Sequence, residues 1–228
     1  MKRETLREIA ALIYPSRCPV CGEVIGANDC FCEKCTGILV RYDGDFRVEG
    51  SSGFAAAYEY HPNMSEAVML MKCGVMGNAP YAFGAATAER LREKGMDKAD
   101  LLVPVPMFRS DLRRRGANQS QLIAEEVGRR LGIAVDAKSV VKSVETLPQK
   151  ELRKREREVN MRGAFTVAAP EAISGKTVIV IDDLCTTGST LAELTSVLLG
   201  AGAAAVYCAC ACKAVEFRDE KTEEVENG

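Results

Sequence analysis

The chain has 228 residues, of which 47% are apolar and 27% charged, so the composition supports a buried core and excludes a disordered chain. Aromatic residues make up only 6% and Trp is absent, which leaves few rings for the stacking platforms of single-stranded nucleic-acid binders. The net charge is -2, yet residues 109–162 carry fourteen Lys and Arg against eight acids, and residues 216–228 carry six acids against two bases. A basic central segment in a chain that is acidic overall indicates one site for an anionic ligand.

No segment approaches the roughly 18 consecutive apolar residues of a membrane span, and the apolar run from Ile9 to Tyr14 is too short for a signal peptide. We therefore expect a cytoplasmic protein. In a reducing compartment, its ten cysteines are expected to bind metal or to be buried, and not to form a disulfide framework.

In chain order, the pattern first predicts an amphipathic helix over 4–14, ended by Pro15, and then a cysteine cluster. After a polar stretch, strands are predicted at 54–60, 101–105, 178–181 and 206–212, and helices at 65–76, 80–94, 118–131 and 190–199. This alternation favours an α/β domain with a largely parallel sheet. We expect three parts: an N-terminal module over 1–44, a main domain over 45–216 and an acidic tail over 217–228.

The N-terminal module contains two C-x2-C motifs, Cys18-Pro-Val-Cys21 and Cys32-Glu-Lys-Cys35. Four thiolates at this spacing can complete a tetrahedral zinc site, which is structural because no coordination position stays open. Zinc binding supplies much of the folding free energy of a module too small for its own core. Two alternatives stay open, namely Cys30 in place of Cys32 as a ligand, and a redox C-x-x-C.

The most informative segment, residues 178–190, is a buried strand followed by Asp182 and Asp183 and by an oxygen-rich loop that leads into a helix. The loop offers hydroxyl groups and backbone N–H groups at a helix N-terminus, where phosphate binds well; its residues are Thr186, Thr187, Gly188, Ser189 and Thr190. The two acids suit ribose hydroxyls or a metal ion. Because open α/β sheets bind ligands at the carboxyl ends of their strands, we interpret the segment as a phosphate-binding element.

This segment resembles the phosphoribosyl-pyrophosphate (PRPP) signature of the type I phosphoribosyltransferases, and the whole chain is similar to the ComF family of competence-associated proteins. The similarity extends to the four-cysteine module, to residues 102–106 with 113–119, and to residues 146–165. It implies a type I phosphoribosyltransferase-like fold, in which helices flank a mostly parallel sheet and a zinc module precedes it.

The resemblance also implies roles for single residues. Asp182 and Asp183 hold the ribose hydroxyls, the loop from Thr186 to Thr190 binds the 5-phosphate, and Mg2+ is the cofactor. A mobile flap lies over 149–160. The residues implied for the pyrophosphate and the flap are Lys72, Pro106, Arg109, Arg113, Arg115, Gln149 and Arg157. The chain departs from the family pattern at Cys73 and Ala117, where the family has aromatic residues.

The implied reaction is that of a phosphoribosyltransferase, which displaces pyrophosphate from ribose C1 of PRPP. Neither the acceptor nor a general acid or base can be named from the sequence. The alternative is a PRPP- or nucleotide-responsive protein without turnover, acting in DNA uptake through protein partners. Direct nucleic-acid binding is disfavoured because the chain is acidic overall. The sequence leaves the oligomeric state open, and an oligomer is possible.

The sequence also supports predictions for several other residues. The segment 145–162 has six basic and four acidic residues and few large apolar ones, which predicts a lid that orders over a polyanion. The single histidine, His61, is expected to face solvent in a turn. Cys208, Cys210 and Cys212 alternate along the last strand and are expected to share one buried face, whereas Cys185 lies in the phosphate loop without an assigned chemical role.

Overall fold

The computed structural model describes residues 3–60, 77–143 and 163–215. The predicted helix 65–76, the predicted lid and the acidic tail lie outside the described residues, as do His61, Lys72, Cys73, Gln149 and Arg157. Within the described ranges, none of the helices is both long enough and apolar enough to span a membrane.

The helices agree with the sequence predictions to within a few residues, and two short ones were not predicted. The described helices are α1 (Arg3–Ile13), α2 (Glu33–Thr36), α3 (Ala79–Glu93), α4 (Arg109–Arg115), α5 (Gln119–Leu131) and α6 (Ser189–Gly200). The described strands are β1 (Gly53–Tyr60), β2 (Leu101–Pro104), β3 (Ala134–Val135), β4 (Val140–Lys142), β5 (Phe165–Val167), β6 (Thr177–Cys185) and β7 (Ala205–Ala214).

The main sheet has the strand order β1-β7-β6-β2-β3, and all of its pairings are parallel. This confirms the predicted α/β class with a mostly parallel sheet. A separate antiparallel hairpin, β4-β5, was not predicted. Because the strands of the main sheet are parallel, their carboxyl ends meet at one edge, and this edge carries the candidate site.

Both faces of the sheet are covered, which explains the uninterrupted apolar run at the start of β6. One face packs against α3 and α5, through Phe83 and Ile123. The other face packs against α6, through Leu191 and Leu194. The two buried clusters fix the sheet between the helices, so the loops at the carboxyl edge project from a rigid support.

The strand that carries the two acids is longer than predicted. It extends to Cys185 instead of ending at Ile181, because Asp182, Leu184 and Cys185 pair with β7. The two acids therefore lie inside the last part of the strand and not after it. The pairing of β6 with β7 holds the backbone of these two acids more firmly than a loop would.

The cysteines of β7 are all buried, but they do not share one face as predicted. Cys208 and Cys210 belong to the cluster beneath α6, whereas Cys212 belongs to the cluster beneath α3 and α5. The residue pairing between neighbouring strands is interrupted at one position, which is the same in three adjacent strands. The residues at this position are Ala57 in β1, Ala211 in β7 and Asp183 in β6. Beyond this position, the side chains of β7 that previously faced α6 face α3 and α5. The prediction that alternate residues share one face therefore fails at the end of the strand.

Helices α3 and α5 approach closely at Gly84. A Cβ atom added there would lie 2.6 Å from the Cβ atom of Glu126 and 3.1 Å from the carbonyl oxygen of Ile123. We expect Gly84→Ala to lower the free energy of unfolding by about 1–3 kcal/mol, because the helices must separate. Gly200→Ala is the matched control, since a Cβ atom there meets nothing within 4 Å. Urea unfolding checks both variants, and equal stabilities would contradict the close approach.

Candidate functional site

The start of α5 is fixed against the carboxyl end of the sheet. The Asn118 side chain accepts hydrogen bonds from the backbone N–H groups of Ser120 and Gln121, as the predicted helix cap requires. Its amide also donates to the carbonyl oxygen of Val105, directly after β2, at 2.9 Å. The Ser120 hydroxyl, which the sequence analysis did not single out, then donates to Oδ1 of Asp182 at 3.0 Å.

The two acids at the end of β6 have different environments. Asp182 is only 9% exposed, and its Oδ1 also accepts the backbone N–H of Asp183 at 2.9 Å. Burial, together with the neighbouring Asp183 carboxylate, raises the pKa of Asp182 to about 7. Asp183 is half-buried, and its Oδ1 accepts the backbone N–H of Leu184 at 2.8 Å. The pair thus offers carboxylate oxygens from two side chains, and the charge of the Asp182 carboxyl changes near neutral pH.

The loop between β6 and α6 turns on Gly188, which precedes the first turn of the helix with a φ of +83°. A Cβ atom there would lie 2.8 Å from Cζ of Phe46, so only glycine fits the loop without a shift. The hydroxyl groups of Thr187 and Ser189 lie 3.0 Å apart and hydrogen-bond to each other. These contacts define a tight turn at the N-terminus of a 12-residue helix.

The backbone of this loop carries donors that the protein does not use. Across the ranges that the structure describes, the N–H groups of Thr187 and Gly188 donate to no protein acceptor. The positive end of the α6 dipole lies at the same place. Free donors and a helix N-terminus are together suited to an anion.

The basic residues after β2 lie on α4, at the same edge of the sheet as the loop. Pro106 is half-buried between β2 and this helix. Arg109 and Arg113 are exposed and Arg115 is half-buried, whereas Arg114 forms an ion pair with Asp111. The structure thus gathers Asp182, the β6-α6 loop and the basic helix at one edge; Lys72, Gln149 and Arg157 lie outside the described residues.

The four cysteines of the two C-x2-C motifs come together as predicted. Their Sγ atoms all lie within 4.8 Å of one another, and three of the four residues are buried. A tetrahedral zinc ion with Zn–S bonds of about 2.3 Å places its sulfur ligands about 3.8 Å apart, so this cluster fits the ion. Cys30 is not part of the cluster, which argues against the alternative ligand set.

The cysteine module is fastened to the first turn of α3. The Arg7 guanidinium stacks on the Tyr81 ring at 3.6 Å and donates to Oδ1 of Asn78 at 2.7 Å. The Asn78 amide in turn donates to the carbonyl oxygen of Asp29 at 2.8 Å. Phe31 packs edge-on against Phe83 in α3, with ring centroids 5.8 Å apart. The module therefore shares its packing with the main sheet.

A cleft of about 550 Å³ lies between this module and α3. Its charged lining residues are balanced, two acids against two bases: Asp29, Glu89, Arg92 and Arg130. The Arg130 side chain is already paired with the buried Glu126 carboxylate at 2.7 Å. The cleft therefore lacks the excess positive charge that a polyanion requires, and the β6-α6 loop remains the candidate site.

The chain is similar to known proteins over most of its length. Residues 86–228 match the family model of the phosphoribosyl transferase domain. The chain is 37% identical over 122 residues to the DNA utilization protein YhgH of Escherichia coli, covering 54% of this chain and 53% of that protein, so this match spans about half the length of the relative. It is 29% identical over 202 residues to the protein of that name from Salmonella typhi, covering 87% and 84%.

Competence protein ComFC of Bacillus subtilis is 26% identical over 203 residues, which covers 89% of this chain and 78% of that protein. Among solved structures, the glutamine PRPP amidotransferase from B. subtilis, complexed with ADP and GMP, aligns with a TM-score of 0.40 and 18% identity. That alignment covers 60% of this chain and 27% of the amidotransferase.

Proposed function

The chain belongs to the phosphoribosyl transferase domain family as a ComF-type member, and on that premise we propose that it binds PRPP at the β6-α6 loop. The observation that carries the proposal is the pair of unused N–H groups, on Thr187 and Gly188, at the start of α6. They follow two acids at the carboxyl end of β6. A 5-phosphate fits the donors, and ribose hydroxyls fit the carboxylates.

In this proposal the residues of the loop together bind the 5-phosphate. Asp182 and Asp183 accept hydrogen bonds from the ribose hydroxyls. The exposed guanidinium groups of Arg109 and Arg113 supply positive charge for the pyrophosphate at the same edge of the sheet, because Arg matches phosphate geometry. Family resemblance adds Lys72, Gln149 and Arg157 to this role. Loss of pyrophosphate leaves positive charge at ribose C1, and the chain assists by holding the leaving group.

Two metal ions accompany the proposal. Mg2+ prefers carboxylate, hydroxyl and phosphate oxygens, and the acids of β6 beside a bound pyrophosphate offer this set. When bound, it neutralises charge on the leaving group. Zn2+ is proposed for the cluster of Cys18, Cys21, Cys32 and Cys35, where it has a structural role because all four ligands come from the protein.

A second candidate function is supported by the names of the relatives, which refer to DNA utilization and competence. In this version the site binds PRPP or a related nucleotide without turnover, and the protein acts in DNA uptake through protein partners. The two candidates share the ligand and differ in chemistry. Release of pyrophosphate from PRPP therefore separates them.

We expect PRPP with Mg2+ to raise the melting temperature by about 5–10 °C at one hundred times the dissociation constant. A ligand that binds only the folded state adds about 2.7 kcal/mol at that concentration. Thermal unfolding with PRPP, ribose 5-phosphate or no ligand checks this expectation. Pyrophosphate release with a panel of bases and amines follows. Release supports the transferase, whereas a melting shift without release supports the second candidate, and no shift contradicts both.

A further inference from the structure

Lys213, near the end of β7, is 7% exposed, which is unusual for a lysine next to a surface loop. Its ammonium group donates to the carbonyl oxygen of Thr186 at 2.8 Å and to that of Ala214 at 2.7 Å. The group also lies 4.2 Å from the centroid of the Phe46 ring. In the part of the chain that the structure describes, Lys213 forms no ion pair.

The hydrogen bond to Thr186 sets the direction of the next N–H group. The carbonyl of Thr186 and the N–H of Thr187 belong to one planar, trans peptide, in which they point in opposite directions. Because the oxygen is held by Lys213, the N–H of Thr187 points away from the ammonium group of Lys213. This is one of the two loop donors that use no protein acceptor.

Phe46 supports the loop at a second point. Its ring lies beneath the ammonium group of Lys213 and against the position that a Cβ atom of Gly188 would occupy. Thr186 and Gly188 are therefore both held from the same side, by residues distant in the chain. Such fixed donors bind an anion without the entropy cost of ordering the loop.

A buried ammonium group with neutral partners is costly to keep, because carbonyl oxygens and a ring face replace water only in part. An anion bound at the loop provides an opposite charge on the other side of the peptide between Thr186 and Thr187. Lys213 lies beside Cys185, the last residue of β6, in the strand register, so its charge is next to the loop. The energetic cost of the buried charge is thus offset when a phosphate is bound.

We propose that Lys213 is the positioning residue of the phosphate loop and selects ligands that carry a phosphate on the ribose 5-position. It holds the peptide between Thr186 and Thr187 with its N–H toward the ligand, and it supplies a buried positive charge. This inference rests on the proposed function, and it identifies which part of PRPP the residue recognises. Pyrophosphate alone does not need Lys213.

The experiment measures the dissociation constants of ribose 5-phosphate and of pyrophosphate, each with Mg2+, by calorimetry. For Lys213→Met we expect the constant for ribose 5-phosphate to rise about tenfold or more, and that for pyrophosphate to stay within about twofold. Lys213→Arg keeps the charge and is expected to retain most of the affinity. Lys98→Met is the matched control, because Lys98 is exposed and precedes β2 at the opposite edge of the sheet.

Equal losses for the two ligands, or no loss for either, overturn the positioning role. If Lys213→Met does not fold, Lys213→Arg and Lys213→Gln decide instead, because Gln can still donate to the two carbonyls but carries no charge. Equal affinities of these two variants for ribose 5-phosphate overturn the role of the charge. Wild-type protein that binds neither PRPP nor ribose 5-phosphate refutes the proposed function, whereas binding that is unchanged in Lys213→Met refutes only this inference.

Discussion

Replacing Asp182 by Asn is expected to stabilise the unliganded protein above pH 7 and to abolish most of the stabilisation by PRPP with Mg2+. The two effects have opposite signs because the carboxylate is unfavourable in the empty site and required by the ligand. Burial, with the charge of Asp183, raises the pKa of Asp182 to about 7, well above the ordinary 3.8. Asn keeps an oxygen that can accept the hydrogen bond from Ser120.

The sign of the pH dependence follows from proton binding. Between about pH 4 and pH 7 the folded protein holds a proton on Asp182 that the unfolded chain has released, so this group makes stability fall as the pH rises. Urea unfolding of the wild type and of Asp182→Asn at pH 5 and pH 8 measures the fall. We expect the variant to gain at least about 1.4 kcal/mol relative to the wild type at pH 8, the equivalent of one pKa unit.

Asp97→Asn is the control for both effects, since Asp97 lies in the loop before β2, at the opposite edge of the sheet. It is expected to leave the pH dependence and the melting shift with PRPP unchanged. A ligand-induced shift that persists in Asp182→Asn would remove this carboxylate from the ribose site. A pH dependence that persists would assign the proton to another group.

Loss of one cysteine ligand is the other change with a large expected effect. Purified protein should contain about one zinc per chain, and Cys18→Ser or Cys35→Ser should release it and unfold the module. Structural zinc binds small modules with about 10–16 kcal/mol at neutral pH, more than the packing of a short segment supplies. Metal analysis and hydrogen exchange of residues 16–42 measure the two effects. Exchange in β6 should stay slow, because its strand pairs are remote from the cluster.

Cys30→Ser is the matched control, because Cys30 lies close by in the chain but outside the cluster. We expect it to keep both the zinc and the slow exchange. Zinc that is lost from Cys30→Ser and kept in Cys35→Ser would reverse the assignment of the ligands. A zinc-free wild type with a protected module would exclude a metal-dependent fold.

The sequence predicts those parts of the fold that local patterns determine. The cap at Asn118, the helix that follows it and the cysteine spacing each depend on residues close in the chain, and the structure agrees with them. The end of β6 could not be predicted in this way. Polar Asp182 and Asp183 resemble the start of a loop, and they remain in a strand only because β7 pairs beside them.

Three residues of the site were missed for the same reason. Ser120 contacts Asp182 across 62 positions, and Lys213 contacts Thr186 across 27. Phe46 lies against Gly188 from the polar stretch between the cysteine cluster and the first predicted strand. No periodicity or spacing relates such pairs. The candidate loop itself is evident from its residues, whereas the groups that contact it are evident only from the fold.

The strand order β1-β7-β6-β2-β3 also constrains when the protein can fold during synthesis. In this order β7 lies between β1 and β6, and it leaves the ribosome after the other strands that the structure describes. Until it emerges, β1 and β6 each present an unpaired edge, and such edges promote aggregation. Lys213 is carried by β7 as well. A nascent chain therefore gains the link between β1 and the rest of the sheet, and the Lys213 contact to the candidate loop, in one late step, and a chain interrupted before Ala205 lacks both.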